Sequence, residues 1–340
     1  MVGCVVRFLL LAAIAGGAAS CAPAPPPDGF PSVTLDNGTI KARVFLPDAD
    51  RGFYRGPRFD WSGMVGPVTF AKVSFFAPFR VPQDPLGNDD GIGPAEEFGM
   101  DAALAYADTP AGGTFIKIGV GELTRPSDPS YREYHFFKPF KIATMPLWKI
   151  AHGRDWIEFH QVLRDPRGWG YDYVKRIQLA PGKPVLIVEH RLTNIGSKII
   201  DTTWYCHNLI NIDAQPIGPA YAVDFPFAPV FTPPGKPTDI RTHGNRLTFV
   251  RPLPHSYGIY ADVSAAGGAA LAAAATVWNS DVYAGVRITS AAPLVKYHFY
   301  AERTAVCPEM FIRIHLEPGQ TQTWESRYLF ISGSASLSED

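Results

Sequence analysis

The chain of 340 residues has no surplus of basic charge: 31 Lys+Arg against 32 Asp+Glu give a formal net charge of −1. That balance argues against a general nucleic-acid binder, which neutralises phosphates with a basic excess. No P-loop, dinucleotide fingerprint, GxSxG elbow or HExxH pair is present, so nucleotide, hydride and serine-hydrolase chemistries have no motif behind them. Cysteine is scarce, at Cys4, Cys21, Cys206 and Cys307. Without a CxxC or a Cys/His ligand spacing, no structural zinc site is expected, and the metal expectation is none. Amphipathic helix is almost missing after Phe30, as are internal repeats and any linker after Gly29, which argues for one large domain. A two-carboxylate glycosidase stays open, because such pairs are defined in space and not by spacing along the chain.

What is abundant is apolar and turn-forming. Hydrophobic residues make up 46% and aromatics 13%, enough for a large core. The 31 glycines and 32 prolines imply many turns, which favours β over α. The first 21 residues read as a secretory signal: Arg7, an apolar run from Phe8 to about Ile14, then small residues. Their end, Ala18-Ala19-Ser20-Cys21, resembles the lipobox of bacterial lipoproteins, with Ala18 where Leu is usual. That resemblance implies a lipid on Cys21 and an exported, membrane-anchored protein. With Ala22 after the cysteine, it also implies the outer membrane, facing the periplasm. Residues 22–29 form a Pro-rich tether, extended at roughly 3 Å per residue. The domain proper is expected over 30–332, with a polar tail at 333–340. In an oxidising compartment Cys206 and Cys307 are permitted a disulfide, and their pairing is left open.

The strand pattern is clearest from Gly170 to Asp213. GYDYVKRIQL alternates, APGKP turns, VLIVEHRLTN alternates, IGSK turns, and IIDTTWYCHNLINID reads as a long strand. Near the C-terminus, EMFIRIHL, EPGQ and TQTWESRYLFI form a hairpin. Such runs without intervening helices predict large antiparallel sheets packed as a β-sandwich. The alanine-rich stretch 265–275 is equally a helix or a surface connection. In the long strand, Thr203, Tyr205, His207, Leu209 and Asn211 share one face, and Trp204, Cys206, Asn208 and Ile210 the other.

The run VLIVEHRLTNIGSKIIDTTWYCHNLINID resembles the galactose mutarotase (aldose 1-epimerase) superfamily, on the Thr193-Asn194 turn and on His207 and Asn211. Cys206 stands where that family has Asn, and Leu209-Ile210 replace its aromatic pair. The family's second landmark is a strand ending in a catalytic Glu. It is matched by HFYAE ending at Glu302, followed by EMFIRIHL, Pro318-Gly319 and the last strand. The resemblance covers 30–332 and implies a galactose mutarotase-like supersandwich. By it, the function is interconversion of sugar anomers, with Glu302 as base, His207 as acid and no cofactor. Glu309 is the fallback base. Tyr205 and Asn211 beside His207, and Arg55, Arg58, Trp61 and Glu97 nearer the N-terminus, are the expected saccharide contacts. Asp84, Asn88, Asp89 and Asp90 read as an ordinary turn and not a calcium loop. The rivals are a non-catalytic carbohydrate-binding lipoprotein and a polysaccharide lyase or glycosidase on the same fold. The expected partners are a saccharide and, through the lipid, a membrane; no nucleic acid is expected.

Overall fold

The computed structural model describes residues 29–232, 238–254 and 258–333. The signal segment, Cys21, most of the tether and the tail from 334 lie outside them. Among the described residues there are strands and two short 3₁₀ turns but no α-helix. The chain starts with a four-stranded sheet of β1 (Ser32–Asp36), β2 (Lys41–Phe45), β3 (Val65–Phe70) and β4 (Val73–Phe75). β5 (Ala95–Phe98) follows at an edge of the central sheet, then a three-stranded sheet of β6 (Thr114–Lys117), β7 (Gly121–Thr124) and β8 (Lys141–Thr144). β9 (Trp148–His152), β10 (Trp156–Arg164), β11 (Gly170–Leu179) and β12 (Val185–Asn194) form an antiparallel meander in the large sheet. The chain then shuttles between two sheets. The central sheet receives β13 (Ile200–His207), β15 (Pro229–Thr232), β18 (Ile259–Ala265), β21 (Lys296–Glu302) and β22 (Ala305–Leu316). The large sheet receives β14 (Tyr221–Asp224), β16 (Ile240–His243), β17 (Arg246–Phe249), β19 (Ala274–Asn279), β20 (Ala284–Ser290) and β23 (Thr321–Ser332). The spatial orders are β16-β17-β14-β19-β20-β23-β12-β11-β10-β9 and β15-β18-β21-β22-β13-β5.

Alternation along the strands decides the layers. On β11, Tyr171, Tyr173, Lys175, Ile177 and Leu179 are buried, while Asp172, Val174, Arg176 and Gln178 are partly exposed. On β13 and β22, Trp204, Cys206, Ile312 and Ile314 pack with Tyr171, Tyr173, Leu192 and Trp324 of the large sheet. Burying side chains of this size contributes roughly 1.5–3 kcal/mol each. The opposite face of the central sheet points away from this core. Tyr205 and Phe311 stack there at 4.3 Å and pack with Met100 and Phe136 from covering loops.

One sequence expectation changes and one open alternative is decided. The strand expected to run to Asp213 stops at His207, because the chain enters the left-handed region at Leu209, with φ 33°. The alanine-rich stretch is a connection, with one 3₁₀ turn at Ala266–Gly268 before β19 begins at Ala274.

Candidate functional site

The central sheet presents a row of polar side chains on the face turned away from the core. His298 on β21 is register partner to both Asp262 on β18 and Glu309 on β22. Directly opposed residues of an antiparallel pair share a face. On the far side of Glu309 stands His207, the last residue of β13, with Nδ1 2.9 Å from Glu309 Oε1. Carboxylate, imidazole, carboxylate and imidazole thus cross four adjacent strands. The β13–β22 ladder lapses at this point. Pairing ends at Trp204–Ile312 and resumes in one bridge at Ile210–Val306. Pro308 lies inside the gap and has no N–H to close it. Asn208 holds the gap instead: its Nδ2 donates to the Pro308 carbonyl at 2.5 Å, and Tyr328 OH donates to its Oδ1 at 2.7 Å.

Over this row lies a cavity of about 200 Å³ lined by Arg58, Phe79, Arg80, Asp89, Met100, Phe136, Phe137, Tyr205, His207, Tyr260, Tyr300 and Glu309. Its walls are aromatic. Phe79 and Tyr300 stand 5.8 and 5.3 Å from the His207 ring. Tyr260, 43% exposed, sits 3.9 Å from the His298 ring, and Phe137, 58% exposed, pairs with Phe136 at 3.9 Å. Burial pulls the His298 imidazole below its usual range, against the pull of Glu309 and Asp262 in the other direction. Its Nδ1 is 2.9 Å from Asp262 Oδ1, while its buried Nε2 has no hydrogen-bond partner.

The expected site residues divide. Arg58, Tyr205 and His207 line the cavity. Glu97 sits beneath it, fully buried, and ties the first two together. Its Oε2 accepts from Arg58 Nε and Tyr205 OH, both at 2.8 Å, and its Oε1 from Lys117 Nζ at 2.6 Å. Burial raises the Glu97 carboxyl, but Lys117 and Arg58 more than offset it and hold the group below its usual range. Arg58 further pairs with Asp89 and lies 4.4 Å from the Phe136 ring centre. Its guanidinium is therefore built into the wall, where the sequence suggested a free contact for sugar hydroxyls. Trp61 is buried and donates Nε1–H to the Gly56 carbonyl at 2.8 Å; with Arg55 it borders a separate cavity. Asn211 lies past the strand end, bonding the Gln215 and Thr304 carbonyls at 3.0 and 3.1 Å.

The expected acid–base pair, His207 and Glu302, acts across a bound sugar, and the carboxylate in direct contact with His207 is a different one, Glu309. Glu302 ends β21 and is held by Arg80, by Thr304 Oγ1 at 2.9 Å and by Tyr300 OH at 2.8 Å. Its partners Arg80 and Tyr300 line the cavity. Asp89 serves as the partner of Arg58 in addition to being part of the expected turn. Arg80 and Tyr260 carried no signal in the sequence, and Asn208 and His298 stood there only as members of the matched strands.

Adjacent Glu96 points to the sandwich core. Its Oε2 meets His190 Nε2 at 2.8 Å and Lys175 Nζ at 2.9 Å, and burial is outweighed by these two neighbours, so its carboxyl is depressed to about 2. Cys206 and Cys307 are both buried free thiols.

No protein-family model matches the sequence, and no curated protein sequence matches it. Solved structures do. A candidate aldose 1-epimerase of Escherichia coli K12 superposes with a TM-score of 0.56 at 13% identity, covering 89% of this chain and 100% of that one. Galactose mutarotase-like proteins of Clostridium acetobutylicum and Lactobacillus casei give TM-scores of 0.55 and 0.53 at 10% and 11% identity. Coverage is 89% and 88% of this chain, and 95% and 100% of theirs. The fold is the galactose mutarotase-like β-sandwich that the sequence resemblance implied.

Proposed function

We propose that the chain binds a saccharide in the cavity over β13 and β22 and interconverts its anomers, with His207 and Glu309 as the acid–base pair. The observation that carries this reading is the 2.9 Å contact between His207 and Glu309 in the wall of an aromatic cavity. Aromatic faces suit the apolar faces of a sugar ring, and the polar row suits its hydroxyls. At about 200 Å³ the cavity is smaller than the ~300–1,000 Å³ sites of drug-sized ligands. It therefore fits one sugar ring or a chain end. Both arginines lining it already carry carboxylates: Arg58 holds Glu97 and Asp89, and Arg80 holds Glu302. A neutral aldose is thus favoured over a phosphorylated one.

Opening the ring requires removal of the anomeric hydroxyl proton and delivery of a proton to the ring oxygen. Glu309 takes the first and His207 supplies the second. After rotation about C1–C2 the ring closes on its other face, with the roles reversed. An imidazole suits this exchange because it can both donate and accept a proton. The test is polarimetry on freshly dissolved neutral aldoses, with binding followed by NMR on the same panel. Equilibration faster than in buffer supports the reading. Binding without acceleration replaces it with a non-catalytic carbohydrate-binding module. New reducing ends or unsaturated products from polymers replace it with a cleaving enzyme.

The domain is proposed to work exported and tethered through Cys21, the motive being the apolar segment and Ala18–Cys21. Cys21→Ser should move the protein from the membrane to the soluble fraction or block maturation. Unchanged fractionation and acyl labelling would remove the anchor from the account.

A further inference from the structure

His207 and Glu309 have a third neighbour. Cys307 is two residues before Glu309 on β22, so both side chains leave the same face of that strand. Cys307 Sγ, a ring nitrogen of His207 and a Glu309 oxygen all lie within 4.8 Å of one another, and all three residues are buried. No spacing in the sequence shows this group, because it forms only where the end of β13 meets the start of β22.

The geometry between His207 and Glu309 supplies an independent observation. Their closest atoms are 2.9 Å apart, yet the buried Nδ1 makes no aligned hydrogen bond. Two groups that hydrogen-bond aim at each other, with a donor angle preferably above about 150°. Two ligands of one cation aim at a third point. With metal–nitrogen and metal–oxygen bonds of about 2.0–2.2 Å, the ligand atoms of a tetrahedral zinc lie roughly 3.3 Å apart and off each other's axis. A short separation with poor alignment is what such a pair shows before the cation enters. The cluster also has a way in: His207 and Glu309 line the cavity, while Cys307 lies below them.

We propose that His207, Cys307 and Glu309 bind one zinc-class divalent cation, leaving its fourth position open to the cavity. Nitrogen, sulfur and oxygen donors in threes, with one open position, are the composition of a solvent-accessible zinc site. The thiolate selects against magnesium and calcium, which prefer all-oxygen shells. On binding, a zinc–sulfur bond forms and the Cys307 thiol proton goes to solvent, so affinity rises with pH. The binding stands apart from the saccharide reading. Its consequence rests on that reading: the cation takes up both proton-transfer groups, so metal and anomer exchange exclude each other.

The experiment is a cobalt titration of the metal-stripped full chain, without sugar, reading the thiolate-to-cobalt charge-transfer band, followed by displacement with zinc. The expected result is one equivalent per chain and a four-coordinate cobalt spectrum. Cys307→Ser should abolish the band and weaken zinc binding by more than the ~10–100-fold typical of losing an outer-shell partner. Cys206→Ser should retain both, and His207→Asn and Glu309→Gln should weaken zinc binding as well. Circular dichroism on each variant separates loss of the site from loss of the fold. No charge-transfer band in the wild type overturns the proposal, as does a band that survives in folded Cys307→Ser. If the band is present but the metal-stripped protein leaves anomer exchange at the buffer rate, the metal site stands and the saccharide reading falls.

Discussion

At the scale of single residues, Glu97 shows how burial fixes the partners of a polar side chain. Glu97, Arg58 and Tyr205 stand out in the sequence as polar groups suited to a sugar. The structure bonds them to one another and to Lys117, all buried. Removing one member of a buried ion pair strands the other charge, at a cost of about 3–5 kcal/mol. Glu97→Gln should therefore lower the unfolding free energy by about 3–5 kcal/mol, and Arg58→Met should also be destabilising. A chemical melt of either variant that matches the wild type would return these residues to the role of loose ligand contacts. His298 gives a second residue-scale prediction. Facing it are Asp262 and Tyr260 from β18, Glu309 from β22 and Lys296 on its own strand. Burial lowers its folded pKa below the ordinary 6.5. The unfolded chain then takes up this proton first as pH falls, so His298's contribution is full above about 6.5 and is lost as pH drops through the folded value. His298→Gln should flatten the fall in melting temperature between pH 7 and 5. An unchanged slope would show that other groups set it.

At the scale of elements, the strands were largely legible. Alternation placed Gly170–Leu179 and Val185–Asn194 with the boundaries the structure has, and found the C-terminal hairpin. Period two is a local property, written in each strand by which face is buried. The partner of His207 was not legible for the same reason. Glu302 and Glu309 stand on successive strands of one hairpin, and which of them meets His207 depends on the register between β13 and β22. The facing residues there are a hundred positions apart, and the ladder opens at Pro308. The end of β13 was hidden too, since Leu209 in a left-handed conformation breaks an apolar run that reads as continuous strand. The loop carrying Phe136 and Phe137 belongs at this scale. Its rings cover Arg58 and the cavity mouth, with Phe137 largely exposed. Phe137→Ala should weaken saccharide binding several-fold with little change in melting temperature, because the lost contact is with ligand and not with core. Equal affinity by NMR titration would make the ring a bystander.

At the scale of the molecule, the two sheets divide the work. The sandwich core fixes β13 and β22 through Trp204, Cys206, Ile312 and Ile314. The opposite face is thereby free to carry polar groups under a lid of loops. Consecutive Glu96 and Glu97 show the division in two residues, one neutralised in the core by His190 and Lys175, the other under the cavity by Arg58 and Lys117. The central claim is that the proton-transfer partner of His207 is Glu309 and not Glu302. The most direct measurement compares anomer-exchange turnover of Glu309→Gln and Glu302→Gln, in metal-stripped protein, on samples whose melting curves confirm folding. A loss of about 10²- to 10⁴-fold is expected for Glu309→Gln, as for removal of a general acid or base, and a far smaller loss for Glu302→Gln. The reverse order, or equal activity in Glu309→Gln and wild type, would contradict that claim.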